Sequence, residues 1–571
     1  MRSTRRPRAG SALSKRSATV AGFVAALVLV VGAGSFQTPA GASLPVLSVT
    51  VPPAATVLTC PGPLELPAEV GGGGDAEFSP VPVAPVTRLT TVGNEKADRV
   101  DVRRLDGTSL LPTDPDTADD LEPETDSSPD PVDPPNGDHT GDPSVDPALA
   151  PGSGAPGSAA PGSSSPAVGV ELTAPAVVRV APRTGGAPAD GTAWLAAATT
   201  MVMVTAGDLR GLAGASCQPA GVDQWLVGGA TDDGSTAHLV LVNPGTTPAR
   251  VVWTVWGAGG PVDLTSDQVL VAPKATEVVN LGGPAGPQKA LVTHVVASGG
   301  QVAAWVQDCA ITGFTAAGTD FVVASAPPAT RQSVPGLVVE AESADTAGLV
   351  GPTLRLLAPG DTDTTAHLQL YGADGPVDLP GVESVALSAG TVLDVPLGGL
   401  PADHYTAVVD ADVPVVAAAT VTRVGLPGQL DPVPRTERAL VASTPGGTGT
   451  TAVPPDVTAT LVVGAVTEGT AEGTGEGTVE IISPTGKVLA THHLSVDSGT
   501  TGAWPVANLF GAASDIGAIR VVATSGATLV WAVLVETTQD DGTLATILTP
   551  TGPSGAPVAV PLRDDPAIAQ G

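Results

Sequence analysis

Across most of the chain beyond residue 167, apolar and polar positions alternate over short stretches that end in Gly, Pro, Asn or Asp. A period of two sends successive side chains to opposite faces, so the pattern predicts half-buried β-strands joined by turns. The clearest run is Ala237–Val242, which ends at Asn243-Pro244-Gly245 and is followed by Ala249–Val255. Pro fixes φ and Gly supplies a turn conformation, so these two strands are expected to pair as a hairpin. Strands recurring at such short intervals predict β-sandwiches.

Three earlier stretches read differently. From 43 to 92 the alternation is present in places, as at Thr56–Cys60, but Pro and the run Gly71–Gly74 break it, which predicts a short N-terminal β segment. From 93 to 166 acidic residues such as Asp114, Asp116, Asp119, Asp120, Glu122 and Glu124 mix with Pro and Ser, and a Pro/Gly/Ser/Ala tract follows. That stretch has too little apolar surface to offset its ordering entropy, and it is expected to be a disordered linker. At the N-terminus, Arg2, Arg5, Arg6, Arg8, Lys15 and Arg16 precede an uncharged apolar run from Ala18 to Gly34. Basic flanks stay inside, so the chain beyond is expected outside the membrane. Segment 18–36 is expected to be a single-pass transmembrane helix behind a basic cytoplasmic end, 1–17. The alternative is a signal h-region, since Ala40-Gly41-Ala42 allows cleavage near Ala42 and secretion.

An internal repeat organises the rest. Gly260-Pro261-Val262-Asp263-Leu264 recurs as Gly375-Pro376-Val377-Asp378-Leu379, and Val279-Asn280-Leu281-Gly282-Gly283 recurs as Val395-Pro396-Leu397-Gly398-Gly399. A fainter third copy runs through Pro484–Leu489, Trp504-Pro505-Val506 and Ala527–Val533. A period of roughly 110–116 residues matches whole sandwich domains rather than a solenoid. The expected architecture is all-β, with about three tandem Ig-like β-sandwich modules at 167–331, 332–437 and 438–556 and a C-terminal tail at 557–571.

Composition narrows the chemistry. The 571 residues carry 25 Lys and Arg against 57 Asp and Glu, a net charge of −32, which excludes nucleic acid as a partner. Aromatics are only 3%, too few to line a glycosidase cleft. Gly-x-Ser-x-Gly, His-Glu-x-x-His and a phosphate-binding Gly-Lys-Ser/Thr are all missing, so no catalytic residue, cofactor or metal site is expected. His492 and His493 are adjacent and point to opposite faces of a strand; His238 and His294 can approach each other, but read as surface residues.

The stretch Gln224-Trp225-Leu226-Val227-Gly228-Gly229-Ala230-Thr231, then Leu241-Val242-Asn243-Pro244-Gly245, then Ala249-Arg250-Val251, resembles a β-sandwich module of actinobacterial cell-surface proteins. With the N-terminal anchor and Cys60-Pro61-Gly62-Pro63, the chain resembles a family of actinobacterial exported, membrane-anchored proteins of unassigned function. Leu226 stands where that module often has an aromatic. The resemblance implies retention of the helix and a membrane location. It also favours a Cys60–Cys217 disulfide, whereas proximity in sequence favours Cys217–Cys309. If Cys60 is tied to Cys217, the acidic stretch is a looped-out insertion and gives no reach.

Trp225, Gly228, Gly229, Asn243, Pro244 and Gly245 read as folding machinery, with Trp225, Trp253 and Trp305 in the core. Trp256, three residues from Trp253 and so on the other face, and Tyr371 are the candidate ligand-surface aromatics. The expected function is a non-enzymatic cell-envelope scaffold or binding protein whose partner is an unknown envelope protein or glycan. The alternatives are a carbohydrate-binding accessory to envelope glycan synthesis and an unrecognised hydrolase.

Overall fold

The computed structural model describes residues 48–51, 56–65, 85–93, 97–111, 167–182, 196–340, 351–428, 430–467, 473–509, 515–552 and 558–561. The basic end, the apolar segment 18–36 and the acidic stretch 112–166 lie outside the described residues. Among the described residues, no helix is long and apolar enough to cross a membrane. The chain is all-β. Its two helices among those residues, Gly282–Ala285 and Val506–Leu509, are single turns. Two compact units are present. In one, Ser48–Val51 pairs antiparallel with Val558–Pro561. The other, Ala54–Ala556, holds everything described below.

One strand order recurs through that unit, seen most fully in residues 223–322. A first sheet runs Asp223–Val227, Val292–Ser298, Ala249–Gly257, with Gly260–Pro261 and Gln268–Val271 along its far edge. A second sheet runs Ala275–Asn280, Ser235–Asn243, Ala303–Thr312, Thr315–Val322. Leu226, Val251, Trp253, Val255 and Val295 of the first face Leu239, Leu241, Ala304 and Val306 of the second in a shared core. The hairpin expected between the strands around Asn243-Pro244-Gly245 does not form: Ser235–Asn243 and Ala249–Gly257 belong to opposite sheets. The Asn243 amide explains this. Its Nδ2 donates to Thr247 O (2.8 Å) and to Val271 O (3.1 Å), and its Oδ1 accepts from Gly245 N–H (2.9 Å), which turns the chain across the core.

Residues 329–442 repeat the order. Here the 25-residue strand Asp403–Pro427 serves both sheets, its first half pairing with Ala329–Val339 and Thr364–Gly372, its second with Thr353–Leu357 and Pro434–Ala442. Residues 449–548 repeat it again, with Gly449–Ala452, Ala518–Gly526, Thr474–Ile482, Val488–Asp497 facing Thr501–Pro505, Thr458–Val466, Thr528–Gln539, Gly542–Leu548. The repeated pentapeptides occupy matching places: Trp256 pairs with Pro261 as Tyr371 pairs with Pro376.

The same order also appears before residue 217. Thr56–Cys60, Ala176–Pro182 and Ala97–Arg104 form one sheet; Ala167–Glu171, Val86–Gly93, Ala196–Val204 and Gly211–Ser216 form the other. The order therefore occurs four times, not the three expected, and starts at residue 56 rather than 167. The linker expected from residue 93 begins later, because Val100 and Val102 are buried in this core. Residues 112–166 join two strands of one repeat and so are an insertion within it. Cys60 and Cys217 are disulfide-bonded, and the pairing joins the first strand of the repeat to the end of its last. Cys309 is the buried free thiol, and burial pushes it up to about 12.

The four repeats close head to tail. Their last strands touch in a cycle: Gly211–Ser216 meets Thr315–Val322, which meets Pro434–Ala442, which meets Gly542–Leu548, which returns to Gly211–Ser216. The approach is close enough to demand glycine. A Cβ on Gly214 would lie 2.5 Å from Thr546 Cγ2, and one on Gly318 (φ +98°) 2.5 Å from Arg438 N.

Candidate functional site

Each junction around the cycle is sealed by a side chain at, or just past, the end of the same strand. Leu105 packs on the cluster holding Val242 and Ala303; Trp256 on Leu357 and Val416; Tyr371 with Val466 and Val530; Ile482 with Val92 and Ala197. Trp256 and Tyr371 were expected to be exposed aromatics, and both are instead 8% exposed. An outward face of a strand is only a surface if nothing covers it, and here the next repeat does. Trp225 (8% exposed) stacks on Trp256 at 5.4 Å and on His294 at 4.0 Å, so it too belongs to the second junction. Trp253 and Trp305 are buried as expected. His238 lies in the sheet facing that of His294, and the two are not brought together.

Of the Gly228-Gly229 pair, Gly228 packs within its own repeat, where a Cβ would meet Val322 at 2.8 Å, and Gly229, at φ +92°, reaches the junction. The Gly229 carbonyl accepts from Arg355 of the following repeat (2.7 Å), while Arg355 is held by both oxygens of Asp394 (2.7 and 2.8 Å). Arg331 does the same at the third junction, bidentate to Asp410 and donating to Thr467 O at 2.7 Å.

Beside Tyr371 at the third junction, an open cleft of about 790 Å³ remains. Its floor is the outer face of Thr364–Gly372, where His367 and Gln369 are exposed. Asp378 and Glu383 form one wall, and Ser498 and Gly499 of the fourth repeat the other. The Tyr371 hydroxyl donates to Gln369 Oε1 (2.6 Å), and burial pushes its pKa up, so it stays a neutral donor. Among the described residues, no lysine or arginine lines the cleft. An imidazole and an amide on the floor and carboxylates on the wall suit a ligand rich in hydroxyl or amine donors.

A second polar constellation lies at the centre of the cycle, and sequence reading passed over it. Asp320 of the second repeat accepts from Gly214 N–H (3.0 Å) of the first, Leu440 N–H (2.8 Å) of the third and the Thr546 hydroxyl (3.1 Å) of the fourth. It is 1% exposed, and burial pushes its pKa up to about 8 against those hydrogen bonds. Burial likewise raises Glu437, which accepts from Leu212 N–H at 2.8 Å. Arg210 grips Asp541 with two bonds of 2.8 Å, and this outweighs burial to hold that carboxyl below its usual range. These groups are spent on backbone donors and on each other, which is a joining role rather than a reactive one. Among the described residues, no set of three or more His, Cys, Asp or Glu side chains is placed to hold a metal. The available signal was a lone Asp in the apolar strand Thr315–Val322; Glu437 was hidden in the charged run Arg435–Arg438.

These features define an all-β protein of four topologically equivalent repeats, closed into a cycle with buried carboxyl groups at its centre and with an open cleft at the third junction. The chain belongs to a family described as a family of unknown function (DUF5719), whose model matches residues 173–507, more than half of its length. That match takes in the whole second and third repeats and parts of the outer two. No curated protein matches the chain.

Proposed function

We propose that the protein is a non-catalytic binding or scaffolding protein of the cell envelope, in which four β-sandwiches form a rigid ring and the cleft at the third junction holds the ligand. Export is supported by the basic N-terminus with its apolar run and by the Cys60–Cys217 bond, which suits an oxidising compartment. On this reading the apolar run is retained as an anchor and the ring lies outside the membrane. The observation that carries the binding role is the cleft beside Tyr371: its volume falls within the range of small-molecule sites, roughly 300–1,000 Å³.

The glycan reading survives only in altered form. A platform built from Trp256 and Tyr371 is not available, since both seal junctions, but the donor-rich chemistry of a glycan suits the acceptors of the cleft. Cosedimentation with purified cell-wall glycan tests it. The wild type is expected to pellet with the glycan, and a His367→Ala, Gln369→Ala, Glu383→Ala variant to stay in solution. Equal pelleting of both, or of neither, would remove the cleft as a glycan site.

A further inference from the structure

The hairpins that lead into the last strands of the second and third repeats interlock. Phe314 N–H donates to Asp431 Oδ2 (2.9 Å), the Thr315 hydroxyl donates to Asp431 Oδ1, and a Cβ on Gly428 would run into Thr315. On the other side, Leu426 N–H donates to Asp541 O at 2.8 Å, which ties the third tip to the fourth. Hydrogen bonds therefore tie the third tip to the second on one side and to the fourth on the other.

Three large apolar side chains stand out from this platform: Phe314 (58% exposed), Leu426 (58%) and Leu430 (55%). Single exposed hydrophobics need no explanation, but three of the four most exposed in the described chain on two interlocked tips do. The rim is acidic. Asp431 sits beside Phe314, its carboxyl held below the usual range by the Thr315 and Phe314 bonds, and Asp540 is exposed on the neighbouring tip.

We infer that this surface, Phe314, Leu426 and Leu430 with the Asp431 and Asp540 rim, is a docking site for a polypeptide segment that alternates apolar and basic residues. The apolar trio supplies a preordered anchor, so little side-chain and loop ordering opposes binding. The acidic rim selects the partner's charge. A second copy of this chain would bring like rims together, and an anionic lipid surface would be repelled.

The probe is a fluorescent synthetic peptide alternating leucine and lysine, titrated by anisotropy against the full chain, with a leucine–glutamate peptide as control. The wild type is expected to bind the lysine peptide and not the glutamate one. Phe314→Ser, Leu426→Ser, Leu430→Ser combined is expected to weaken it about tenfold or more with an unchanged melting curve, since all three side chains are mostly in water. Asp540→Lys, which leaves the apolar trio intact, is expected to weaken it by about threefold. Equal affinity of wild type and triple variant would show attraction to bulk negative charge and overturn the inference. So would a concentration-dependent dimer, or adsorption to phosphatidylcholine vesicles, that the triple variant abolishes.

Discussion

Replacing Asp320 by Ala tests the claim that one buried carboxylate joins all four repeats. The change withdraws the acceptor from the backbone N–H groups of Gly214, Leu440 and Phe321 and from the Thr546 hydroxyl. Asp320 is 1% exposed, so bulk solvent does not reach the donors it leaves behind. Each buried donor left unmet costs about 1–3 kcal/mol, so three backbone groups together cost about 3–9 kcal/mol. Removing a buried polar carboxyl returns part of that. We expect Asp320→Ala to lower the unfolding free energy in urea by at least about 3 kcal/mol, a large share of an ordinary domain's stability. Asp320→Asn keeps an oxygen for Gly214 and Phe321 but turns an amide N–H toward Leu440 N–H, and should cost about 1–3 kcal/mol. The order wild type, Asn, Ala is the diagnostic. An Ala variant within about 0.5 kcal/mol of wild type, the range of changes at ordinary surface sites, would refute the joining role.

The pH dependence has a defined sign. Asp320 is raised from 3.8 to about 8 on folding, so between those values the folded chain holds a proton the unfolded chain has released. Stability from this group is full below pH ~4 and declines toward pH ~8, at about 1.4 kcal/mol per pH unit. Urea midpoints taken at pH 6 and pH 8 should fall for wild type, with a flatter profile for Asp320→Asn. The disulfide closes a span of 157 residues, for which chain entropy gives about 5 kcal/mol. Cys60→Ser or reduction should lower the melting temperature, whereas Cys309→Ala should leave redox sensitivity untouched. Trp256→Ala removes a ring stacked on Trp225 and 8% exposed; a cost of about 3–5 kcal/mol is expected by chemical denaturation. A cost near zero would show that the second junction does not rely on that side chain.

The alternation of Ala237–Val242, the turn at Asn243-Pro244-Gly245 and the paired pentapeptides at Gly260 and Gly375 were legible because strand periodicity and turn chemistry are local. They yield an all-β chain and most strand positions in the second and third repeats. They do not say which sheet a strand joins. A period-two run fits either face of a sandwich, so a hairpin was expected where the chain crosses between sheets. The first repeat was missed because its strands Ala97–Arg104 and Ala167–Glu171 are separated by a long acidic insertion, and no sequence window spans both.

For the candidate site, the sequence singled out Trp256 and Tyr371 as outward-facing aromatics. The strand direction was right: each side chain leaves its own core, as the reading of Trp253 against Trp256 implied. What covers that outward face depends on residues far away, Leu357 and Val416 for Trp256, Val466 and Val530 for Tyr371. The cleft, the exposed trio of Phe314, Leu426 and Leu430, and the fourfold grip of Asp320 share that origin. Each brings together side chains from separate repeats, and their contacts exist only once the four last strands have closed around one another. The sequence by itself determined the strands and their repetition, since these follow from neighbours in the chain. Tertiary structure alone decided which faces were buried and which stayed open, because burial depends on partners that close the ring from about 100 residues or more away.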